Sequence, residues 1–169
     1  MKKEYSTRLF ESGDEIEIVP LLDLIFNGWP HLDLPCSPLD HWRWKYKENP
    51  TGIIGIAVAI SNGRIIGCFH VIPGRMKILD KIILCMTGAD LAVNPNCRGI
   101  GVSTRIRDLL RTQYPELGIK HAYFVTGNPI LVKSYKKNRP VFPHEVTNLV
   151  RIKDVGMHLR AVPVKIRSY

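Results

Sequence analysis

No stretch of this 169-residue chain is apolar for long enough to span a bilayer; its hydrophobic runs stop well short of the roughly 20 residues a spanning helix needs. The first residues, MKKEYSTRLFESGDE, have no apolar run after the two lysines, so no leader segment is read there and a cytoplasmic protein without membrane contact is expected. Cysteine is sparse. Cys36, Cys68, Cys85 and Cys97 form no CxxC pair and have no histidine partners at zinc-finger spacing, which argues for free thiols and against a disulfide frame or a metal site. Acidic residues are also few, 15 against 24 lysines and arginines, and the resulting charge of +9 favours a polyanionic partner: nucleic acid, an acidic membrane or a phosphate-bearing small molecule. No nucleic-acid reader motif accompanies the charge, so nucleic acid is not the expected partner.

What the chain does have is the balance of a soluble globular domain, 45% hydrophobic and 23% charged, at a length that suits one domain. Its most informative stretch is Leu91 to Leu110, LAVNPNCRGIGVSTRIRDLL. Ala89, Leu91 and Val93 alternate with Asp90 and Ala92 as in a strand, and Asn94-Pro95-Asn96 breaks it. Arg98-Gly99-Ile100-Gly101 then opens a helical pattern carried by Val102, Ile106, Leu109 and Leu110. Glycines at such an entrance let the backbone approach a ligand, and the first N–H groups of the helix have no partners of their own. With Arg98 and Arg105 alongside, the turn is suited to a pyrophosphate.

Taken in order, Tyr5 to Phe10 reads as a first strand, and Ser12 to Glu15 fits a capping box with Ser12 as the N-cap of a helix. Pro20 implies that this helix starts near Val19 or kinks there. The proline-bearing segment from Gly28 to Pro38 reads as a loop, followed by a short helix from Leu39 to about Lys47 on which Trp42 and Tyr46 share a face and Trp44 lies on another. Gly52 to Ser61 and Arg64 to Ile72 are apolar, β-branched runs joined by Ser61-Asn62-Gly63, a strong hairpin signal. Arg75 to Leu79 continues the second run, a turn at Asp80-Lys81 reverses the chain, and Ile82 to Val93 leads into the glycine turn. Beyond the helix, His121 to Val125 reads as a strand parallel to the one before the turn, followed by a helix from Ile130 to Lys137. Val141 to Val146 and Leu149 to Ile152 could close the sheet.

Pro95-Asn96-Cys97-Arg98-Gly99-Ile100-Gly101-Val102-Ser103 resembles the acetyl-CoA-binding signature of the GCN5-related N-acetyltransferases (GNAT family), with Ser103 at a position the family gives to glycine or alanine. Asn128 and Tyr135, seven residues apart, match a second family pattern, while Arg139 and Pro140 depart from its continuation. The resemblance implies a mixed α/β (α+β) fold: a mostly antiparallel central sheet with one splayed parallel pair and helices on both faces. It implies a domain over residues 1–155, with 156–169 as a tail.

It also implies an enzyme that moves an acetyl group from acetyl-CoA to an amine, most naturally that of a small molecule, by direct attack in a ternary complex. Arg98, Gly99, Ile100, Gly101, Val102 and Ser103 would hold the pyrophosphate, with Leu91, Ala92, Val93 and Asn128 completing the cofactor side. Tyr135 would protonate the departing thiolate. Asp90 is the second catalytic candidate, and Trp42, Trp44 and His70 are the acceptor-side candidates, His70 being considered also as a base. The rival readings are a non-catalytic acyl-CoA-binding domain and a basic nucleic-acid-binding module; the acceptor's identity and a homodimer stay open.

Overall fold

The computed structural model describes residues 4–31 and 33–123, all within the first of two compact units into which the chain divides at Val125. Five strands form one sheet in sequence order: β1 (Ser6–Leu9), β2 (Gly55–Ser61), β3 (Arg64–Ile78), β4 (Lys81–Val93) and β5 (His121–Tyr123). The first four are antiparallel neighbours. β5 lies parallel to β4, pairing Cys85, Met86 and Thr87 with His121, Ala122 and Tyr123. The mostly antiparallel sheet with one parallel pair is therefore as expected. The second-unit features, namely the helix Ile130–Lys137, the strands at Val141–Val146 and Leu149–Ile152, the boundary after residue 155, Asn128 and Tyr135, lie outside the described residues.

The β2–β3 hairpin turns on Asn62 and Gly63, both at positive φ, as the primed turns that match strand twist require. The β3–β4 turn sits one residue earlier than expected, at Leu79-Asp80, because Ile78 pairs with Lys81. Two irregularities interrupt the alternation of faces. Between β2 and β3 the register slips at Ile66, whose carbonyl accepts the Asn94 amide at 2.8 Å. Between β3 and β4, Cys68 pairs with Ala92 but His70 with Ala89, so β4 carries one extra residue opposite Phe69. That bulge reverses which side chains of β4 face each layer.

One face is covered by α1 (Glu15–Phe26) and α2 (Pro38–Trp42), which bury Ile18, Leu22 and Trp42 against Ile56, Val58 and Cys68. α2 has Ser37 as N-cap and runs on as a π-helical turn, Arg43–Lys47, in which the Glu48 amide reaches back five residues to the Arg43 carbonyl at 3.0 Å. α1 differs from the expected capping box. Its N-cap is Asp14, whose carboxylate is held by Arg8 at 2.6 and 2.8 Å, and Glu15 accepts the Gly13 amide at 2.8 Å. Pro20 lies inside the helix, on its exposed side with Ile16, where solvent can serve the carbonyl the proline leaves unbonded.

The other face carries α3 (Val102–Thr112), which buries Val102, Ile106 and Leu110 against Ala57, Ala59, Ile66 and Phe69. Small residues on this face let the helix approach. A Cβ at Gly67 would stand 2.9 Å from Val102 Cγ1 and 3.3 Å from the Ala92 carbonyl oxygen. Val102 is buried and β-branched, so it has little freedom to yield. Gly67→Ala should therefore lose about 1–3 kcal/mol of stability by overpacking. Gly74→Ala on the same strand meets nothing within 4 Å and should stay within about 0.5 kcal/mol of the parent in urea denaturation.

Candidate active site

β4 ends at Val93 and passes into a short 3₁₀ turn, Pro95–Cys97, opened by the Asn94 side chain accepting the Asn96 amide at 3.0 Å. Gly99 (φ +78°) and Gly101 (φ +87°) then swing the chain into α3, with Gly101 as an N-cap that has no side chain to offer. Among the described residues, no hydrogen bond engages the amide N–H groups of Gly99, Ile100, Gly101, Val102, Ser103 or Thr104. The last four are the orphan donors that every α-helix leaves at its start. The loop is braced by its carbonyls instead. Tyr5 donates its hydroxyl to the Ile100 carbonyl at 3.2 Å, Arg98 Nε donates to the Val93 carbonyl at 3.3 Å, and Arg105 lies 5.3 Å from the Tyr5 ring. No acidic residue occurs between Asp90 and Asp108, whereas Arg98, Arg105 and Arg107 do. Free donors, a helix dipole and arginines of one sign suit this turn to cradle an anion.

A second constellation sits on the β4 bulge. Asp90 adopts φ +42°, and its carboxylate accepts Lys45 Nζ at 2.8 Å and a short hydrogen bond from the Tyr46 hydroxyl, both from the π-helical turn. Lys45 Nζ also lies 5.6 Å from the Trp29 ring centre and 5.1 Å from that of Tyr46. Burial works to raise the Asp90 pKa, but the hydrogen bonds from Lys45 and Tyr46 and the Lys45 charge outweigh it and hold the carboxyl below its usual range. Burial, with the adjacent Asp90 charge, pushes the Tyr46 hydroxyl far up, so it serves only as a donor.

Beneath Asp90, the Trp42 indole N–H donates to His70 Nε2 at 3.1 Å, and His70 Nδ1 lies 3.1 Å from the Asp90 carbonyl oxygen. An indole nitrogen can only donate, so Nε2 must be the bare nitrogen and the proton sits on Nδ1, directed at the carbonyl. The ring is fully buried and stacked on Tyr46 at 4.2 Å. Burial is the main reason its pKa is lowered to about 4.

Of the residues singled out from sequence, Leu91, Ala92 and Val93 lead straight into the cradle formed by Arg98 to Ser103. The Ala92 side chain is buried, leaving its main chain as the part that can meet a ligand. Trp42 and His70 correct the expectation that they line an acceptor pocket: both are 0% exposed, and their polar atoms are spent on each other and on Asp90. The same pairing leaves His70 without a free lone pair for base chemistry. Trp44, 64% exposed beside His41, remains at the surface. For Lys45 and Tyr5 the sequence carries no site signal, and for Tyr46 only its i, i+4 spacing from Trp42. Among the described residues no three metal-ligating side chains converge, and no helix is long and apolar enough to cross a membrane.

Residues 7–138 match the family model described as an acetyltransferase (GNAT) domain. A search of curated proteins gives no match. Among solved structures, the chain is similar to a predicted acetyltransferase with acetyl-CoA from Clostridium acetobutylicum: 18% identity, TM-score 0.67, covering 87% of this chain and 96% of that one. It is also similar to glucosamine-6-phosphate N-acetyltransferase from Arabidopsis thaliana, at 14% identity and TM-score 0.60, covering 89% and 99% of the two chains. An aminoglycoside acetyltransferase from an uncultured soil metagenomic sample gives 16% identity and TM-score 0.61 over 89% and 97%.

The buried neutral His70 has a consequence for stability. Its folded pKa of about 4 lies below the ordinary 6.5, so the unfolded chain takes up a proton first as pH falls. The part of the stability that rests on neutral His70 is whole above pH 6.5 and should fall by about 2 kcal/mol between pH 7 and pH 5; it levels off below about pH 4, where the carboxylates of Asp14, Glu15 and Asp90, held below their usual range, begin to lose theirs. Urea denaturation at stepped pH measures this, and His70→Asn, which has no imidazole at this position, should lose the His70 part of the drop and keep the part from His41, whose pKa burial also lowers.

Proposed function

The chain belongs to the acetyltransferase (GNAT) family, and we propose that it transfers the acetyl group of acetyl-CoA to the amine of a small molecule by direct attack within a ternary complex. The observation that carries this reading is the set of unengaged amides from Gly99 to Ser103. They answer the diphosphate of coenzyme A, and Arg98 and Arg105 add formal charge to the same entrance. Bound acetyl-CoA supplies an activated thioester, so the protein's task is chiefly to position a nucleophile and to aim dipoles at the acyl oxygen. The main chain of Leu91, Ala92 and Val93 continues from the cradle and supports a role in holding the pantetheine arm.

Asp90 is ionised at neutral pH, which suits it to attract an acceptor's ammonium group; its lowered pKa makes it a weak base, and the amine proton would leave through water. As the new C–N bond forms and the C–S bond breaks, the thiolate needs a proton. Tyr135 is proposed to give it, since a phenol of pKa about 10 can protonate a thiolate of pKa about 8.5 to 10 within hydrogen-bond reach. Asn128 would assist on the cofactor side. A small-molecule amine is proposed as acceptor because such amines are the named substrates of two proteins of this fold, glucosamine-6-phosphate and aminoglycoside acetyltransferases.

Release of free thiol from acetyl-CoA, followed across sugar amines, aminoglycosides and aliphatic amines, tests the reaction. Acceptor-dependent release with one class supports it, and none with any class removes the enzymatic reading. Gly101→Val should bind coenzyme A at least about tenfold more weakly by calorimetry with an unchanged circular dichroism spectrum, because a β-branched residue resists φ +87° and draws the amides out of line. Undiminished binding would sink the cradle.

A further inference from the structure

Asp90 is gripped at two points by different layers of the molecule, and the grip on its carbonyl has so far no use. The carbonyl oxygen takes the Nδ1 proton of His70, and Trp42 fixes which nitrogen carries that proton. The Asp90–Leu91 peptide is planar and trans, so its C=O and the Leu91 N–H point in opposite directions. Holding the carbonyl against His70 therefore holds the Leu91 N–H away from it. At φ +42° Asp90 departs from strand geometry, and neither Asp90 nor Leu91 has a register partner in β3, so regular pairing is interrupted at this peptide. There His70 takes hold of its carbonyl. We infer that His70, locked by Trp42, is a positioning residue that aims the Leu91 amide at the acyl oxygen of a bound thioester.

The arrangement is built for constancy. The groups facing the ring are Asp90 from β4, Lys45 and Tyr46 from the π-helical turn, and Trp42 from α2, with Cys68 two residues along its own strand. Protonation at Nε2 would set two N–H groups, those of Trp42 and His70, against each other. The imidazole thus keeps one tautomer across the neutral range, and the peptide it holds keeps one direction.

This inference rests on the reading of the glycine turn as the coenzyme A cradle, and amide NMR separates the two. With acetyl-CoA the Gly99 and Gly101 amides should shift, and the Leu91 amide should move further downfield with acetyl-CoA than with coenzyme A. His70→Leu should keep the glycine shifts and lose the acetyl-specific shift of Leu91, with kcat reduced about tenfold or more and KM for acetyl-CoA held within about threefold. His70→Asn, whose amide can donate where Nδ1 does, should restore both. Trp42→Phe, which keeps a ring in the core, should weaken the Leu91 shift by freeing the tautomer. If Leu91 does not respond to the acetyl group in the parent, or responds equally in His70→Leu, or if Asn is as poor as Leu, the inference falls alone. If Gly99 and Gly101 ignore acetyl-CoA in the parent, the reading of the cradle falls and takes this inference with it.

Discussion

The Asp90 carboxylate, pinned by Lys45 and Tyr46, is the contact on which the arrangement of the site depends. A non-glycine residue at φ +42° is disfavoured by roughly 1–2 kcal/mol. Charge-assisted hydrogen bonds in a partly buried setting are worth more than that, so the clasp can hold the bulge where ladder pairing would otherwise straighten it. The partners come from the helical layer, not from the sheet. The position of the π-helical turn and the shape of β4 are thereby one decision, and Trp42 and His70 beneath them make a packed aromatic floor that admits no slack.

The opposite face solves a different problem. There α3 must come close enough for its first turn to continue the line of β4, and close approach depends on what is missing: no side chain at Gly67, and only methyl groups at Ala57 and Ala59. Tyr5, just before the edge strand β1, reaches across to the Ile100 carbonyl and secures the loop by its acceptor, which leaves the donors alone. One strand thus presents the Asp90 carboxylate to one layer and delivers the glycine turn beside the other. The bulge separates the two uses.

Much of this was legible in the residues. The hairpin at Asn62-Gly63, the break at Asn94-Pro95 and the helical spacing of Val102, Ile106 and Leu110 are local signals, and each appears where the pattern puts it. The bulge was not legible. Ala89, Leu91 and Val93 alternate with Asp90 and Ala92 as an unbroken strand would, because one extra residue leaves no mark in composition; the hydrogen bonds that meet it, from Lys45, Tyr46 and His70, are all tertiary. Trp42 and Trp44 show the same limit. They are two residues apart and chemically identical, yet one is sealed in the core and the other stands in solvent, since the fate of each depends on which face α1 and the sheet cover. Ser12 is not the cap: Asp14 stands there, with its carboxylate turned to Arg8 on the preceding strand and no side-chain bond to the helix.

The cradle is made of peptide groups, and this bears on how such a protein can drift over time. Any side chain that tolerates the torsion angles at Ile100, Ser103 or Thr104 leaves the donors where they are, so these letters of the loop can change while its shape does not. Similarity that persists in the fold at 14–18% identity is what a shape encoded in the backbone permits. The positions that cannot wander are those that fix the path of the chain: Gly101 by its torsion, Gly67 by its closeness to α3.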